Sequence, residues 1–472
     1  MRLRLVSCVF LLLLVLSLSG CSGAGTGADG MMKPPRAAGD GGAIQDAITA
    51  KLGDQISLRF PRNGENRSAV VRADIDGDGT EEAVAFYRLA TESSGAHMLV
   101  LDTDERGDWQ VSGDQDGGGG DIDRVMFGDI NGDGSTEIIT GWSPYAGTDR
   151  IMTAYSYDGE KLRELPIFQL SADGERSAAV YTEMVTCDVD GDGLDDIISV
   201  YLDKQNAQAN ASLFKFQHSA LSGNCMVSSI STGLDGSVAE YLGAQAGSIT
   251  ESITGLFLDG YRSDGTCCTE LVYWNPSTAQ LVTPLNSPDD KHAMFTRSCR
   301  AVSTDINGDG IIELPGDELL PCYSADDADA LYLTTWHCYL SGSSTHEIGA
   351  MLMREQQGYN IIFKDSWRGR VTARADSTSG GREIMYFCQV AKDGGFGVEI
   401  MRIKPFTAAE WESESAWEPM DIIGDSDSPR FRELESNDYY TYAVLISGSF
   451  TDIEKYPQFS FEKIHWAFQI VE

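Results

Sequence analysis

A nine-residue motif occurs four times in this chain and constrains the possible folds more than any other feature. Each copy has an oxygen-bearing side chain at positions 1, 3, 5 and 9, and glycine at positions 4 and 6. The copies at residues 74–82, 129–137, 188–196 and 305–313 read DIDGDGTEE, DINGDGSTE, DVDGDGLDD and DINGDGIIE, and are called loops 1 to 4 below. Because glycine adopts backbone conformations that are closed to other residues, the chain can turn here so that the oxygens point inward.

Oxygen atoms that converge in this way repel one another unless a hard cation lies between them, and Ca²⁺ is the usual occupant of such sites. Position 7 varies freely, as expected if only its backbone carbonyl is a ligand. The sequence therefore predicts about four structural Ca²⁺ ions. The predicted ligand residues are Asp74, Asp76, Asp78, Thr80 and Glu82 in loop 1; Asp129, Asn131, Asp133, Ser135 and Glu137 in loop 2; Asp188, Asp190, Asp192, Leu194 and Asp196 in loop 3; and Asp305, Asn307, Asp309, Ile311 and Glu313 in loop 4. The alternative is four acidic turns without metal, since Asp and Gly are common turn residues.

The residues around the loops separate this motif from an EF-hand, which needs a bidentate Glu at position 12 and a helix on each side. Position 12 carries no acid in any copy, and the flanking residues, such as 125–127 and 197–200, are short strand-like apolar runs. Each loop is therefore expected to join two β-strands. With these features, residues 56–345 resemble the FG-GAP or VCBS repeats of integrin-like β-propellers, whose nine-residue loops bind Ca²⁺ inside a blade.

The spacing of the loops predicts the number of repeating units. The loops begin at residues 74, 129, 188 and 305, so the last interval is about twice the earlier ones. A further unit is expected in that gap, and residues 256–274 have the pattern of its strands. Because the alternating acids are missing there, this unit is expected to lack metal. The resemblance implies a mainly β fold, an integrin-like β-propeller of about five blades, or up to seven if degenerate blades follow.

The segments outside 56–345 are expected to differ from the repeats. Residues 1–20 read as a signal peptide, with an apolar run too short for a standard membrane span. Residues 18–21 (LSGC) resemble a bacterial lipobox, which implies lipidation of Cys21 and attachment to a bacterial membrane or envelope on its extracytoplasmic side. An ordinary secretion signal that contains a cysteine is the alternative.

Three further segments follow from composition and periodicity. Residues 21–42 are rich in Gly, Ala and Ser and predict a flexible stalk. Residues 43–55 predict a short helix that packs on the first repeat. In residues 350–472 the loop motif stops, and mixed strand and helix patterns predict a small α+β domain with a terminal helix over residues 460–471.

Net charge and cysteine spacing exclude several classes of partner. With a net charge of −37, the chain is repelled by nucleic acid and by anionic membrane surfaces, so nucleic acid is not expected as a partner. Besides Cys8 and Cys21 the chain has eight cysteines, none in CxxC spacing, so a zinc or redox site has no support. Whether these eight are thiols or disulfides stays open at this stage.

The sequence contains no recognisable catalytic motif. A Gly-x-Ser-x-Gly elbow, a phosphate-binding loop and a dinucleotide fingerprint in a βαβ context are all absent. The favoured interpretation is a non-enzymatic cell-envelope lipoprotein whose calcium-stabilised propeller is a binding scaffold for a protein or a glycan. The alternative is a secreted calcium-dependent lyase or glycosidase that acts on polysaccharide. Four tryptophans in the repeats are expected to pack between units more than to bind sugar: Trp109, Trp142, Trp274 and Trp336.

Overall fold

The computed structural model describes ten stretches of the chain. They are residues 39–90, 95–144, 149–171, 173–219, 223–285, 295–342, 344–378, 381–415, 430–447 and 459–471. The predicted signal peptide, Cys21 and most of the predicted stalk lie outside these described residues. Within them the chain is mainly β, and none of the helices is long and apolar enough to cross a membrane.

The described residues form thirty strands and three α-helices. The helices are α1 (Asp40–Leu52), α2 (Ala408–Ser415) and α3 (Phe461–Ala467). The first fifteen strands are β1 (Ile56–Arg59), β2 (Val70–Ala73), β3 (Glu82–Leu89), β4 (His97–Thr103), β5 (Trp109–Asp116), β6 (Asp121–Gly128), β7 (Glu137–Ser143), β8 (Arg150–Tyr157), β9 (Leu162–Leu165), β10 (Ile167–Leu170), β11 (Arg176–Ala178), β12 (Val180–Tyr181), β13 (Glu183–Cys187), β14 (Asp196–Asp203) and β15 (Gln208–Ser219). The others are β16 (Gly223–Leu234), β17 (Val238–Thr250), β18 (Ile253–Arg262), β19 (Cys267–Asn275), β20 (Gln280–Val282), β21 (Leu314–Leu319), β22 (Tyr332–Ser341), β23 (Ser344–Arg354), β24 (Tyr359–Ile362), β25 (Val371–Ser377), β26 (Glu383–Val390), β27 (Phe396–Phe406), β28 (Arg432–Ser436), β29 (Thr441–Ile446) and β30 (Phe468–Ile470).

The strands form six sheets that follow one another along the chain. Sheet 1 has the order β1-β3-β4-β5 with β2 also paired to β3, and sheet 2 the order β12-β8-β7-β6 with β9 paired to β8. Sheet 3 is β11-β10-β16-β15-β14-β13, and sheet 4 is β17-β18-β19-β20. Sheet 5 is β21-β22-β23-β24-β30, and sheet 6 is β25-β26-β27-β29-β28. Almost all pairs are antiparallel; β10 and β16 pair in parallel.

Apolar side chains join each sheet to the next. Phe86 of sheet 1 meets Trp142 of sheet 2 edge to face, with ring centroids 6.0 Å apart. Similar clusters join sheets 2 and 3, 3 and 4, 4 and 5, and 5 and 6. Strand β3 is covered on both faces, so every residue from Glu82 to Tyr87 is buried. Strands covered in this way have nearly continuous apolar sequences.

The two ends of this series are packed differently from its middle. Helix α1 inserts Ile44 and Ile48 against the face of sheet 1 that points away from sheet 2. Among the described residues, no apolar cluster contains side chains from both sheet 1 and sheet 6. The order of packing is therefore α1, then sheets 1 to 6 in sequence.

Several predictions about elements can be compared with this arrangement. Sheet 4 lies in the gap where a unit without the motif was expected, and its strands β18 and β19 cover residues 256–274. Helix α1 begins at Asp40 and ends at Leu52, so the end of the predicted stalk is already helical. Trp142 and Trp336 are buried, as expected for packing, whereas Trp109 and Trp274 are partly exposed.

The C-terminal region departs from the prediction in two ways. The expected boundary at residues 345–350 falls inside β23, and residues 371–446 form a sixth sheet on the fifth, so loss of the motif does not end the series of sheets. The predicted helix over 460–471 ends at Ala467, and the chain continues as β30, where Phe468 pairs with Ile361. Phe468 packs on Tyr359 and Tyr442, and this tertiary contact outweighs the helical spacing.

Candidate metal sites

Loops 1 to 3 each connect two antiparallel strands, as the sequence predicts, and loop 4 follows a single bridge residue instead of a strand. Loop 1 joins β2 to β3, loop 2 joins β6 to β7, and loop 3 joins β13 to β14. Loop 4 is closed by a bridge between Thr304 and Glu313 and leads into β21. The four loops therefore take equivalent places in sheets 1, 2, 3 and 5.

The first residue of every loop organises the backbone around it. In loop 1 the two carboxylate oxygens of Asp74 accept hydrogen bonds from the N–H groups of Gly77 and Gly79, at 2.9 and 3.0 Å. The same pair of bonds occurs in the other three loops. Both glycines have positive φ in every copy, 78° and 89° in loop 1, a conformation that favours glycine.

The carboxylate at position 5 fixes the next part of the turn. It accepts the N–H of position 7 in every loop, for example Thr80 to Asp78 at 2.7 Å and Leu194 to Asp192 at 3.0 Å. The equivalent bonds reach from Ser135 to Asp133 and from Ile311 to Asp309. Position 7 thus takes part through its backbone, which is why its side chain can vary.

The ninth residue of each loop is a fully buried acid. Glu82, Glu137, Asp196 and Glu313 are at most 1% exposed, and each accepts the N–H of position 2 of its own loop. Burial removes water from these carboxylates, and neighbouring acids of the same loop repel their negative charge. Burial is the main cause that raises the pKa of Glu82, Glu137 and Asp196 to about 7 and also raises the pKa of Glu313.

Loops 1 and 3 bring carboxylates close together. Ligand atoms of Asp74, Asp76 and Asp78 lie within 4.8 Å of one another, and so do those of Asp188, Asp190 and Asp196. Within the described part of the chain, Glu82 Oε1 and Asp190 Oδ1 are buried without a hydrogen-bond partner. A buried carboxylate oxygen without a donor is costly, so a positive charge would stabilise both loops.

Loops 2 and 4 differ at position 3, where an amide replaces the carboxylate. The Asn131 amide nitrogen donates to Glu137, while its oxygen accepts the N–H of Asp133 at 2.9 Å. In loop 4 the Asn307 nitrogen lies 3.0 Å from Asp309 Oδ2 and 3.4 Å from Glu313 Oε1. An amide supplies an oxygen ligand without a charge, so these two loops offer a cation one negative charge fewer than loop 1.

The loops of sheets 1 to 3 touch one another and form a row. Thr136 of loop 2 donates its N–H to the carbonyl of Ile75 in loop 1, at 3.1 Å. Asp195 of loop 3 donates its N–H to the carbonyl of Asp129 in loop 2, at 2.9 Å. In loops 2 and 3, the backbone N–H of position 8 therefore donates a hydrogen bond to the preceding loop. The conformation of one loop thus affects the contact between neighbouring sheets.

Sheet 4 interrupts this row because β17 and β18 are joined by a short turn at residues 251–252. A cleft of about 560 Å³ lies where the missing loop would be, bounded by Asp188 and Asp190 of loop 3 and by Ser252, Tyr273 and Trp274 of sheet 4. Loop 4 then attaches to sheet 4 directly, because Ile312 donates its N–H to the carbonyl of Ser248 at 2.9 Å.

A second cleft, of about 600 Å³, lies between sheet 5 and helix α3. Its lining includes Ile348, Lys364, Asp365 and Trp466. Trp466 is 65% exposed, and the Lys364 ammonium lies 5.1 Å from its ring centroid. An exposed indole beside charged groups is suited to a ligand that has both an apolar face and hydroxyl groups.

A buried charge cluster outside the loops lies between sheets 2 and 3. Arg124 is 5% exposed and pairs with Glu183 at 2.7 Å and with Asp123 at 3.3 Å. Asp123 also accepts a hydrogen bond from the Tyr181 hydroxyl at 2.8 Å and lies 3.2 Å from Arg150. Every carboxylate of this cluster has a cationic partner, which is the arrangement of a structural network.

Three residues near the loops were not predicted from sequence. Lys215 of β15 reaches into loop 3, with its ammonium in contact with Asp190 and 2.7 Å from Asp192 Oδ2. Asp102 of β4 lies beside Glu82 of loop 1, and the thiol of Cys338 lies 3.4 Å from Glu313 Oε1 in loop 4. Each comes from a different strand, so the motif itself carries no signal for it. All eight described cysteines are free thiols.

The chain shows little similarity to known proteins. No protein-family model matches the chain, and no curated protein matches it. Among solved structures, the chain is similar to a GH43 β-1,3-galactosidase, with 10% sequence identity over 83% of this chain and 90% of that chain, and a TM-score of 0.28. A score this low does not show a shared fold. The resemblance to FG-GAP and VCBS repeats therefore stays a prediction.

Proposed function

We propose that this chain is a calcium-stabilised β-scaffold that binds a glycan or a protein at the cell envelope. The observation that carries the proposal is the repeated loop geometry, in which a buried acid at position 9 closes a turn with acids at positions 1 and 5 and an acid or an amide at position 3. The unpartnered Oε1 of Glu82 supports it, because a protein that never held a cation there would gain stability from an apolar residue.

The ligands of the ion are the side chains at positions 1, 3, 5 and 9, with the carbonyl of position 7. When bound, Ca²⁺ supplies the positive charge that these carboxylates lack. The residues themselves position the turn: Asp74 holds the backbone of both glycines, and Glu82 ties the end of the loop to Ile75. Because loops 1 to 3 are joined by backbone hydrogen bonds, an ion in one loop also stiffens the contact between sheets.

We propose further that the six sheets form a propeller-like array in which sheet 6 is a degenerate unit and in which no apolar cluster of the described residues joins the first sheet to the last. The consecutive packing of the sheets and the equivalent places of the four loops support this reading. The unit count is then six, within the expected range of five to seven.

Melting of the metal-free protein tests the calcium proposal. EDTA should lower the melting temperature, because an ion that binds only the folded state stabilises it by mass action. Ca²⁺ at millimolar concentration should restore it better than Mg²⁺, which demands a stricter octahedral geometry. An unchanged melting temperature after chelation would mean that the loops are acidic turns without metal.

The cleft beside loop 3 is the favoured binding surface for a glycan. It combines the partly exposed Trp274 with Tyr273 and Asn275, so it offers an aromatic face and polar groups together. Glycan-array binding should be lost in Trp274→Ala and retained in Trp466→Ala, which removes the indole of the other cleft. Binding that is lost only in Trp466→Ala would assign the site to sheet 5, and no glycan binding at all would favour a protein partner.

The alternative of a polysaccharide lyase or glycosidase has a direct test. Glycosidases use a pair of carboxylates beside the substrate, whereas the carboxylates of the buried cluster between sheets 2 and 3, Asp123 and Glu183, are each paired with Arg124. Incubation of the protein with a panel of polysaccharides should release no new reducing ends and no unsaturated products. Turnover of any polysaccharide would refute the scaffold proposal.

Attachment to the membrane is a separate proposal and rests on residues 18–21. Expression of the full chain in a bacterial host should place it in the membrane fraction, with acyl chains on Cys21 detected by mass spectrometry. Cys21→Ser removes the thiol that would carry the acyl chains, so the acylated mass should be lost. Wild-type protein with an unmodified Cys21 would contradict lipidation.

A further inference from the structure

In every sheet that carries a loop, a neighbouring strand places one residue opposite the ninth position. In each of these sheets, the strand that follows the loop pairs with the next strand. The pairs nearest the loops are, for loops 1 to 4, Ala83–Leu101, Ile138–Tyr155, Ile197–Phe214 and Leu314–His337. One residue closer to the loop, the ninth residue lies opposite Asp102, Ser156, Lys215 and Cys338, respectively. Because directly opposed residues point to the same face of an antiparallel pair, these four positions are equivalent. They carry a carboxylate, a hydroxyl, an ammonium and a thiol.

In loop 3 this position brings a cation into the loop. The Lys215 ammonium contacts Asp190, lies 2.7 Å from Asp192 Oδ2 and is 4.0 Å from Asp196 Oδ1. Those are the acids at positions 3, 5 and 9, which are the predicted ligands of the ion. A Ca²⁺ within its usual 2.3–2.6 Å of the same oxygens would require about the same volume as the ammonium. Two cations in that volume repel each other, so they exclude one another.

In loop 1 the same position adds a negative charge. Ligand atoms of Asp76, Glu82 and Asp102 lie within 4.8 Å of one another. Glu82 is 0% exposed and its Oε1 has no partner among the described residues, so an unsatisfied oxygen points into this group. Asp102 is held in place by the hydroxyl of Tyr157 from sheet 2, which donates to Oδ2 at 3.0 Å. Loop 1 therefore has one carboxylate more than its own motif provides.

Loops 2 and 4 lie between these extremes. Ser156 is uncharged, and the Cys338 thiol is 3.4 Å from Glu313 Oε1 as a neutral donor. Neither residue adds a carboxylate, and neither places a cation in the loop. Their affinity for Ca²⁺ is then set by the motif alone, with an amide at position 3 in both.

We propose that the residue opposite the ninth position decides which cation each loop holds. Lys215 gives loop 3 a built-in ammonium in place of Ca²⁺, and Asp102 makes loop 1 the strongest Ca²⁺ site of the chain. The protein then binds three Ca²⁺ ions, in loops 1, 2 and 4, and not four. This inference rests on the calcium function proposed above and specifies which loops carry it out.

Counting the bound ions tests the role of Lys215. Metal-free full-length protein is titrated with Ca²⁺, and the stoichiometry is read by calorimetry and native mass spectrometry. We expect three ions for the wild type and four for Lys215→Ser, which copies the residue of loop 2. We expect three for Lys204→Ser, an exposed lysine in the turn between β14 and β15. The converse variant, Ser156→Lys, should bind two ions, and it keeps the test decisive if Lys215→Ser does not fold.

The role of Asp102 is tested by affinity. Asp102→Asn should weaken the strongest class of Ca²⁺ site by about tenfold or more, since ligand charge tunes the affinity of calcium loops. Glu105→Gln, which removes one charge from the exposed turn after β4, should leave it unchanged. Luminescence of bound Tb³⁺ gives a second readout of the same site.

The possible outcomes separate this inference from the calcium function itself. Equal stoichiometry in the wild type and Lys215→Ser, with Ser156→Lys also unchanged, would overturn the inference and leave the calcium scaffold intact. An unchanged strongest site in Asp102→Asn would overturn the part that concerns loop 1. Absence of Ca²⁺ binding in every variant would overturn both the inference and the proposed function.

Discussion

Removal of Ca²⁺ should make the stability of this protein depend on pH through the buried acids at position 9. Glu82 is the clearest case, because burial and the nearby acids raise its pKa from 4.5 to about 7 in the folded, metal-free protein. Between these two pH values the folded state keeps a proton that the unfolded chain has lost. Stability from this group is therefore complete below about pH 4.5, declines as pH rises, and is lost above pH 7.

The size of the effect follows from the shift. One pKa unit corresponds to about 1.4 kcal/mol, so Glu82 should contribute about 2–3 kcal/mol at pH 5 that is absent at pH 8. For a chain of this length, the average unfolding entropy per residue makes 1 kcal/mol equal to about 1 °C in melting temperature. Glu137 shows the same shift and doubles the expected change. The two loops together should lower the melting temperature by about 5 °C.

Melting curves of metal-free protein at pH 5, 6, 7 and 8, with and without Ca²⁺, measure this effect. Glu82→Gln keeps the side-chain shape without the titrating group, so it should reduce the pH-dependent decline by about 2–3 °C. Glu81→Gln is the matched control, since Glu81 is the exposed neighbour and should leave the decline unchanged. Ca²⁺ should cancel the decline in the wild type, because the bound ion stabilises the ionised carboxylate.

Two results would refute the reasoning. An identical pH profile in the wild type and Glu82→Gln would show that this carboxylate is ionised or solvated in the metal-free protein. A decline that Ca²⁺ does not change would show that the ion binds elsewhere, because the surface charge of the chain affects both conditions equally.

Two further predictions concern the packing around Arg124 and Tyr181 of sheet 2. Arg124→Met should lower the free energy of unfolding by about 3–5 kcal/mol, because it leaves buried carboxylates without their cation. Arg163→Met, at an exposed ion pair, should change it by less than about 1 kcal/mol. Equal effects of the two variants in urea denaturation would contradict a structural network around Arg124. Gly141→Ala should cost about 1–3 kcal/mol, since its new Cβ would lie 2.0 Å from the Tyr181 hydroxyl. Gly233→Ala, where no atom lies within 4 Å, is the control, and an equal loss of stability there would mean that the clash with Tyr181 is relieved at no cost.

Part of the site could be predicted from sequence because its chemistry is local. Position 1 binds the backbone three and five residues further on, and position 9 binds the backbone of position 2. Contacts of such short range repeat wherever the same nine residues repeat. The sequence also indicated sheet 4, since a period of spacing persists even where the ligands are lost.

The charge that surrounds each loop could not be read in this way. Asp102 and Lys215 lie about twenty residues after their loops, on the next strand, and the register of that strand decides whether they face the loop. A slip of one residue would turn them to the other face. The number of Ca²⁺ ions that we propose for the chain therefore depends on the register of the sheets.

The fold shows the same division at its C-terminal end. The sequence by itself determined the strands, the four oxygen-rich turns and their spacing, because alternation of side chains and glycine-dependent turns are local properties. Only the tertiary structure decided that β23 runs through the expected domain boundary and that the chain ends as β30 on sheet 5. The physical reason is that Phe468 gains a buried aromatic environment from residues far away in the sequence, which no local pattern records.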